Sequence, residues 1–423
     1  MRDVVVYTVV HQPRRLKLPA QPIPAGAAAP DVERCLFDEP MNRRYLEKVA
    51  ARCYHPATGM FRRLLDQDLA LSVGFSFSFL RQADAWDPAL VARLRDLMAH
   101  PRAEPVAVEP YHSFAMLIDL PGFVQRMRWS REALAGYFGS RPTVADTTEL
   151  SMSETIYTAL DHAGFDGGFI DGRPWVLEWR APSFLYHSGR RLALLARHHA
   201  LSDDVGYRFS DRTWSGWPLM ADTYLDWIAA APGDVVVLGW DYETFGEHHG
   251  ADTGIFDFVR RFVTGARDRG LRFLTASEAI AAHRPRSQHL PLPVFPSTWA
   301  GSGGMEFFLG NPVQQAVFQL MREAYGKAQL SGDPALLDLA LWLAQSDNLH
   351  LIQWFGRSGS EAEVSAYFTP REWWSLGADR LVWEIQQVYV NFVRAVGGPS
   401  PAPDATGDQL EMLEPEVAAL VAG

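Results

Sequence analysis

Residues 234–250 read DVVVLGWDYETFGEHHG. The apolar run that opens this stretch predicts a buried β-strand, and the polar half begins where that strand should end. The polar half carries three carboxylates and two histidines: Asp241, Glu243, Glu247, His248 and His249. Such a cluster directly after a strand fits a metal site, an acid/base site or a solvated polar loop.

Similar strand-like runs recur through the first two thirds of the chain. They lie at 3–10, 69–77, 105–109, 143–149, 167–171, 234–241 and 271–275. Several are continuously apolar, as parallel strands covered on both faces require. Helical stretches separate them at 130–138, 153–164 and 254–270. Repeated βα units of this kind predict an α/β fold, either a parallel barrel or a doubly wound sheet.

Polar residues that could carry chemistry follow these strand-like runs. They are His11, Glu109, Glu149, Asp171 and Asp241. In a barrel of parallel strands the C-terminal strand ends converge on one face, and catalytic sites lie on that face. The pattern therefore favours a barrel-type active site.

The composition excludes several function classes. The 423 residues carry a formal net charge of -11 and no basic tract, so nucleic acid is not expected as a partner. No apolar run approaches the roughly 20 residues that cross a bilayer, so no membrane association is expected. Two cysteines cannot form a disulfide framework, and no signal-like segment precedes the first run, so we expect a cytoplasmic protein. The sequence leaves the oligomeric state open.

The pattern of apolar residues changes near residue 285. A proline-rich segment at 284–296 reads as a linker, and helices with regular apolar spacing follow it. We predict a catalytic barrel at 1–285, a helical domain at 286–400 and a tail at 401–423 with at most one short helix.

For the polar cluster after residue 240, zinc is the weaker interpretation. Adjacent histidines such as His248 and His249 point in different directions, and the chain has no HExxH or CxxC spacing. A loop that caps a helix remains an alternative for Glu243, Glu247 and the histidines. Asp241 is the best acid/base candidate, because it lies at the very end of an apolar strand.

A second candidate carboxylate lies in TVADTTELSMSE, residues 143–154. Hydroxyl groups of Thr147, Thr148 and Ser151 can hydrogen-bond Glu149 and keep it ionised. The alternative is that Glu149 is a charge at a helix N-terminus. Two carboxylates in different protonation states are what glycoside hydrolysis requires, and Glu149 and Asp241 would meet across a barrel mouth.

The stretch VVHQPRRL, residues 9–16, places two polar side chains after the first strand. His11 and Gln12 can make directional hydrogen bonds to hydroxyl groups. On its own the HQP motif is weak, and a buried histidine with satisfied hydrogen bonds is the default interpretation of His11.

Taken in order, these motifs resemble glycoside hydrolase family 57, in its archaeal-type α-amylase branch. The resemblance is carried by HQP (11–13), VAVEPYHS (106–113), TTEL (147–150) and DYETFGEHH (241–249). It continues through LSDDVGYRFSDRTW (201–214) and LAQSDNLHLIQWF (343–355), so nearly the whole chain is covered. DYETFGEH is the most specific motif, whereas HQP and TTEL inform mainly through their order.

The resemblance implies an incomplete (β/α)7 barrel with a C-terminal helical domain. It also implies retaining cleavage of α-glucosidic (α-1,4) bonds in glycogen- or starch-type α-glucans or maltooligosaccharides, with no metal or other cofactor. Glu149 would be the nucleophile and Asp241 the acid/base. The expected pocket and supporting residues are His11, Gln12, Glu109, His112, Trp240, Glu243, Glu247 and His248.

Three residues late in the chain are further candidates for sugar subsites. The flat indoles of Trp299 and Trp354 could stack on pyranose rings, and Asp347 could accept hydroxyl hydrogens. The alternative is that both tryptophans belong to the core of the helical domain.

Other functions remain open from the sequence. A 4-α-glucanotransferase or branching enzyme uses the same covalent intermediate. A catalytically inactive glucan-binding relative is disfavoured because both carboxylates are present, and a metal-dependent deacetylase would need an Asp that the HQP strand lacks. The chain also departs from the family in having Ala145, Asp146 and Thr147 where Arg and Asn usually precede the nucleophile. Asp146 is thus an extra acid that either faces away or alters a subsite.

Overall fold

The computed structural model describes residues 1–354 and 370–396, with only the backbone described for Gln353 and Trp354. These residues form two compact units. The first unit comprises Met1–Gln12, Arg43–Pro110 and Val124–Gly304. The second comprises Pro13–Asn42, Tyr111–Phe123 and the described residues from Met305 onward.

A parallel β-barrel is the framework of the first unit. Its strands are β1 (Arg2–Val10), β2 (Leu71–Phe75), β3 (Ala103–Ala107), β4 (Val144–Ala145), β5 (Gly167–Asp171), β6 (Leu185–His187), β7 (Ala193–Arg197), β8 (Val235–Asp241), β9 (Leu271–Leu274) and β10 (Gln288–His289). Among the described residues, seven strands pair in parallel in the order β1-β2-β3-β4-β5-β7-β8, and β8 returns to β1. This ring confirms the predicted seven-stranded barrel. β9 pairs with the first half of β1, and β6 pairs antiparallel with β7.

Strand β1 shows why the sequence forms this barrel. Val6 lies opposite Leu71 of β2 on one side and Leu238 of β8 on the other. Val4, Val5 and Val10 are fully buried, since both faces of the strand are covered. Each such side chain contributes roughly 1.5–3 kcal/mol through burial. A strand buried on both faces needs a continuous apolar run, which DVVVYTVV supplies.

The helices follow the strands as the alternating pattern predicts. In chain order they are α1 (Ala29–Leu36), α2 (Glu39–Val49), α3 (His55–Leu65), α4 (Phe77–Trp86), α5 (Pro88–Met98), α6 (Leu120–Phe138), α7 (Glu154–Ala163), α8 (Pro174–Leu177), α9 (His199–Gly206), α10 (Ala221–Ala230), α11 (Ile255–Gly265), α12 (Ala276–His283), α13 (Glu306–Leu309), α14 (Pro312–Ser331), α15 (Pro334–Leu343), α16 (Asp347–Trp354), α17 (Arg371–Trp374) and α18 (Ala378–Val396). A π-helical turn, Ala50–Tyr54, joins α2 to α3. The predicted helices at 130–138, 153–164 and 254–270 correspond to α6, α7 and α11.

Local sequence signals set several of the helix ends. The Ser153 hydroxyl accepts the Ile156 N–H and begins α7, and Gly164 ends it in the left-handed conformation. At α12, Thr275 and Glu278 form a capping box. These caps set where the two helices begin.

The sequence-based strand assignment missed β7. Its apolar run, Ala193–Arg197, is fully buried and pairs with β5 along its whole length. Arg197 at its end lies opposite Val237 of β8, and this pair closes the ring. Basic residues flank the run on both sides, which obscured its strand character.

The second unit is helical, as the spacing after residue 285 predicts. The apolar positions Leu381, Ile385, Val388 and Phe392 of α18 are buried. Polar contacts fix the helix ends: the Gln314 amide donates to the carbonyls of Phe307 (2.8 Å) and Leu349 (3.1 Å). Among the described residues the unit includes segments from three parts of the chain.

The two units differ from a division of the chain at residue 285. Residues 13–42 and 111–123 group with the helices, and 286–304 group with the barrel. The domain bounds 1–285 and 286–400 stay a prediction, and the tail at 401–423 lies outside the described residues.

Among the described residues there is no helix both long enough and apolar enough to cross a membrane.

Candidate active site

The two predicted catalytic carboxylates lie at strand ends of the first unit. Asp241 is the last residue of β8 and lies opposite Val9 of β1. Glu149 follows β4 in a short 3-10 turn, Thr148–Leu150. Both residues are partly exposed although their chain neighbours are almost all buried. The Tyr207 phenol is within electrostatic reach of both carboxylates. Both carboxylates therefore lie near this one side chain of the first unit.

Glu149 has an unusual backbone conformation. Its φ of 59° and ψ of 32° are left-handed, and Leu150 after it also has a positive φ of 52°. Non-glycine residues adopt this region at a cost of about 1–3 kcal/mol and keep it when surrounding contacts hold them there. The turn therefore aims the Glu149 side chain differently from a regular strand or helix.

A neighbouring segment supplies those contacts. Met152 and Ser297 exchange two backbone hydrogen bonds of 3.0 and 2.8 Å, so the chain before Trp299 runs beside the Glu149 turn. The Trp299 N–H donates to the Glu149 carbonyl at 3.1 Å, and the Trp299 indole Nε1 donates to Glu149 Oε2 at 2.7 Å. Backbone and side chain of Glu149 are thus both held by one residue.

Asp146, the extra acid shortly before Glu149, does not face away into solvent. It is 3% exposed and accepts a hydrogen bond from the Tyr7 hydroxyl on Oδ2. The Thr147 N–H donates to Oδ1 at 2.7 Å. Burial, helped by the nearby charge of Asp241, raises the pKa of Asp146 to about 7, although these two hydrogen bonds oppose the shift.

Residues of the HQP motif and of the 241–249 cluster share one hydrogen-bond chain. The Gln12 amide donates to the Tyr54 hydroxyl at 2.9 Å, and that hydroxyl donates to Glu243 Oε1. Burial, and then the nearby Asp241 charge, raise the pKa of Glu243 well above its usual range. Its neutral form is therefore favoured relative to that of an exposed glutamate, and Tyr54 holds the side chain in position. His11 is 7% exposed and its Nδ1 lies 2.8 Å from the Ser76 hydroxyl.

Glu109 is fully buried after β3, and its carboxylate lies 3.2 Å from the Arg126 guanidinium. A buried carboxylate beside a guanidinium is held in one orientation. Trp240, the neighbour of Asp241, is 4% exposed and donates its indole N–H to the Ser202 carbonyl at 2.8 Å. That contact anchors the end of β8 to α9.

The remaining residues of the cluster have structural partners. Glu247 pairs with Lys48 at 2.5 Å. Both ring nitrogens of His249 are engaged, Nδ1 with the Ser210 hydroxyl (2.7 Å) and Nε2 with the Gly206 carbonyl (3.1 Å). Burial, and then His249, lower the pKa of His248 to about 3, so it is neutral. A zinc site built on His248 and His249 is disfavoured, because His249 has no nitrogen left for an ion.

Comparison with known proteins identifies the family of the chain. The sequence matches the model of a family described as "Glycosyl hydrolase family 57" over residues 6–293. The chain belongs to glycosyl hydrolase family 57. The matched region contains both Glu149 and Asp241, and the match confirms the family that the ordered motifs predict.

A curated relative of this family 57 chain comes from Methanocaldococcus jannaschii and bears the name "Putative alpha-amylase". It is 31% identical over 290 residues, which are 68% of this chain and 62% of the relative. The aligned region thus spans less than two thirds of that relative's length.

Solved structures share the fold. A 4-alpha-glucanotransferase from Thermococcus litoralis has 14% identity and a TM-score of 0.63, with 88% of this chain and 60% of that chain covered. A family 57-type branching enzyme from Pyrococcus horikoshii has 13% identity and a TM-score of 0.62, with 95% and 97% covered. At these identities the likeness is one of fold alone.

The second unit of this family 57 chain holds the remaining predicted residues. His112 has a positive φ of 52°, and its Nδ1 lies 3.0 Å from the Ser346 hydroxyl. Asp347 is partly exposed and begins α16. The Trp354 side chain lies outside the described residues. The roles of these residues stay predictions.

Sequence reasoning missed several residues that support the site of this family 57 chain. They are Tyr7, Arg173, Arg197, Asp203 and Tyr207, and all belong to the first unit. Arg197 at the end of β7 could have been found from the apolar run LALLA before it. Asp171 was placed at a strand end, but its partners were not predictable from local pattern.

Proposed function

We propose that the chain is a retaining glycoside hydrolase that cleaves α-1,4-glucosidic bonds of glycogen- or starch-type α-glucans or maltooligosaccharides. Glu149 is the nucleophile and Asp241 the general acid/base. The observation that carries the proposal is the state of Glu149: a partly exposed carboxylate, held by an indole N–H at 2.7 Å, in the same barrel as the strand-end acid Asp241. Membership of family 57 supports this assignment.

In the first step, Glu149 attacks the anomeric carbon and Asp241 gives its proton to the leaving glycosidic oxygen. A covalent glycosyl ester on Glu149 results, and the leaving sugar departs with its new hydroxyl group. In the second step, Asp241 takes a proton from water while the water oxygen attacks the same carbon. Glu149 leaves as a carboxylate, and two inversions give retained configuration.

This mechanism predicts a definite geometry. The carboxyl groups of Glu149 and Asp241 should lie about 5–5.5 Å apart, because a retaining enzyme needs no room for water between acid and nucleophile. Measurement in a crystal of the free enzyme would test this value, and a separation near the roughly 9 Å typical of inverting enzymes would exclude retention.

The surroundings of Asp241 fit a proton-transferring role. Asp146 and Glu243 both lie within electrostatic reach of Asp241 and both have raised pKa values. The raised pKa values favour the neutral forms of both acids, which lessens the repulsion when Asp241 becomes charged after protonating the leaving group. We expect His11, Gln12, Glu109 and His112 to be pocket residues, and Glu243, Glu247, His248 and Trp240 to organise the acid/base.

Transfer to a sugar hydroxyl is the second candidate activity, because the glycosyl ester can react with a sugar as well as with water. The two structural neighbours, a 4-alpha-glucanotransferase and a branching enzyme, make this alternative specific. Incubation with maltoheptaose separates the activities, since only transfer yields products longer than the substrate. A glucan-binding protein without catalysis would yield neither.

The deciding experiment compares Glu149→Gln with the wild-type chain on several α-glucans. We expect activity to fall by at least about 10³-fold while the fold is unchanged, because the amide keeps the volume but removes the nucleophile. The matched control is Glu154→Gln, an exposed carboxylate at the start of α7. It should keep full activity. Ordinary activity of Glu149→Gln would exclude the proposed nucleophile.

A further inference from the structure

A buried ion cluster lies in the first unit, and the chemical steps above do not use it. Asp171 is fully buried at the end of β5 and contacts two guanidinium groups: Arg173 Nε at 2.6 Å and Arg197 Nη1 at 2.9 Å. Arg197 also pairs with Asp203 through Nη2 at 2.6 Å, and His199 Nδ1 lies 3.1 Å from Asp203. We call these five residues the Asp171 cluster.

Two members of the Asp171 cluster, Arg197 and Asp203, are held in their ionised forms. Burial alone would lower the pKa of Arg197, but the charges of Asp203 and Asp171 outweigh it and raise that pKa above its usual range. Burial would raise the pKa of Asp203, but Arg197 and His199 hold it below its usual range. Removing one member of such a cluster leaves an uncompensated buried charge. The contacts within the cluster are therefore costly to break.

The cluster reaches Trp299 from two sides. The Arg173 Nη2 donates to the Trp299 carbonyl, and the Arg197 guanidinium lies 5.5 Å from the centre of the indole ring. Such a cation over an aromatic face is attractive by about 0.5–2 kcal/mol. Trp299 is 9% exposed, and Arg197 lies against one of its faces.

The loop at residues 297–304, STWAGSGG, packs closely against Arg173. Gly303 has a positive φ of 96°, and a Cβ there would lie 2.9 Å from Arg173 Cγ, so a larger residue would displace the arginine. The indole of Trp175 donates to the Ser302 carbonyl at 3.3 Å. The loop is therefore held at both its tryptophan and its glycine end.

The same cluster is tied to the strand that carries the acid/base. Arg197 Nε donates to the carbonyl of Gly239 at 2.9 Å, two positions before Asp241 in β8. A Cβ on Gly239 would lie 3.2 Å from Arg197 Cδ, which shows how closely the two strands approach here. The Arg197 guanidinium thus makes two contacts. One is with β8 just before Asp241, and the other is with Trp299, which binds Glu149.

We propose that Trp299 is a positioning residue for the Glu149 carboxylate, and that the Asp171 cluster holds Trp299 and the end of β8 in register with each other. This inference rests on the proposed function, because it takes Glu149 as the nucleophile. Glu149 has a strained backbone, and the indole N–H gives its Oε2 a fixed partner at 2.7 Å. The indole fixes the attacking oxygen, and the cluster fixes the indole.

The first test is Trp299→Phe, which removes the N–H and keeps an aromatic ring. We expect kcat to fall by about 10- to 100-fold, the range for one hydrogen bond to a charged group, with KM changed by less than about twofold. The acidic limb of the pH profile of kcat/KM should move to higher pH, because a donor to the ionised carboxylate is lost. The matched control is Trp342→Phe, which removes an indole hydrogen bond of 3.0 Å to Asp338 in the second unit. It should leave kcat and the pH profile unchanged.

The second test is Arg173→Lys, alone and combined with Trp299→Phe. Lysine keeps the charge but cannot contact both Asp171 and the Trp299 carbonyl. The single variant Arg173→Lys should therefore have a lower kcat than the wild type. In the Trp299→Phe background the same change should lower kcat by less than about twofold, since residues that act through one another are not additive. This variant also keeps the inference testable if Trp299→Phe folds poorly, as judged by its thermal unfolding.

The outcomes separate this inference from the proposed function. If Glu149→Gln retains activity, the proposed nucleophile and this inference both fail. If Glu149→Gln is inactive while Trp299→Phe keeps kcat and raises KM, the nucleophile stands and Trp299 is a sugar-stacking residue instead. Full additivity of Arg173→Lys and Trp299→Phe would exclude action of the cluster through Trp299.

Discussion

The Tyr7 hydroxyl donates a hydrogen bond to Asp146, and the Tyr7 ring stacks on Phe169 with ring centroids 4.1 Å apart. Tyr7 is thereby fixed inside the barrel, and Asp146 is fixed with it. Asp146 is thus a buried and hydrogen-bonded part of the barrel unit. Because its pKa is about 7, its charge changes near neutral pH.

Asp146 should make stability depend on pH. Its pKa is raised from 3.8 to about 7 on folding, so the unfolded chain ionises first and the folded state loses stability as the pH rises from about 4 to about 7. Asp146→Asn removes this titration. The free energy of unfolding of the wild type should fall relative to Asp146→Asn by at most about 4 kcal/mol over that range. Urea unfolding at pH 4.5 and 7.5 measures it.

The matched control for that experiment is Asp268→Asn, an exposed aspartate in the first unit. It should keep the pH dependence of the wild type. A constant difference between wild type and Asp146→Asn at both pH values would show that Asp146 has the same proton affinity in the folded and unfolded chain.

Asp146 should also shape the alkaline side of the activity profile. Above pH 7 an ionised Asp146 adds a negative charge near Asp241, and a like charge favours retention of the proton that the general acid must give. In Asp146→Asn that charge is missing, so the alkaline limb of kcat/KM should move to lower pH. Activity below pH 6 should be similar in both proteins, because Asp146 is then neutral. A uniform loss at all pH values would instead indicate altered geometry.

Arg126 should be essential for stability. Its guanidinium lies 3.2 Å from Glu109, whose side chain is completely buried. Arg126→Met leaves that carboxylate without this guanidinium, and breaking a buried ion pair typically costs about 3–5 kcal/mol. The control is Arg141→Met, whose partner Glu132 is more than half exposed, and the melting temperature should not change. Equal melting temperatures for the two variants would contradict the proposed importance of Arg126.

The barrel was predictable because its strands are buried on both faces. A strand such as β8 must be apolar along its length until it ends, so the first charged residue, Asp241, marks the strand end in the sequence itself. The same reasoning placed His11, Glu109 and Glu149 after their strands. Convergence of these ends then follows from parallel pairing, without knowledge of any side-chain contact.

The contacts of Glu149 were not predictable in this way. Trp299 lies 150 positions after Glu149, and its hydrogen bond depends on a left-handed turn that no residue in TTEL signals. Arg197 was missed together with β7, since its apolar run is short and flanked by basic residues. Glycines and charges that meet only in the folded chain, such as Gly303 and Arg173, carry no local pattern.

The loss of activity on removal of Asp241 should be larger for a poor leaving group than for a good one. A natural glucan leaves as an alkoxide unless it receives a proton, so Asp241→Asn should slow its cleavage by about 10²- to 10⁴-fold. A maltosyl fluoride needs no proton to depart, so its first step should be nearly as fast in Asp241→Asn as in the wild type. The second step still lacks its base, and the glycosyl ester should accumulate as a burst of one fluoride per enzyme molecule. Glu149→Gln is the contrasting variant, since without a nucleophile it should release neither fluoride nor sugar. Equal loss of activity of Asp241→Asn on both substrates, with no burst, would show that Asp241 does not act as the general acid.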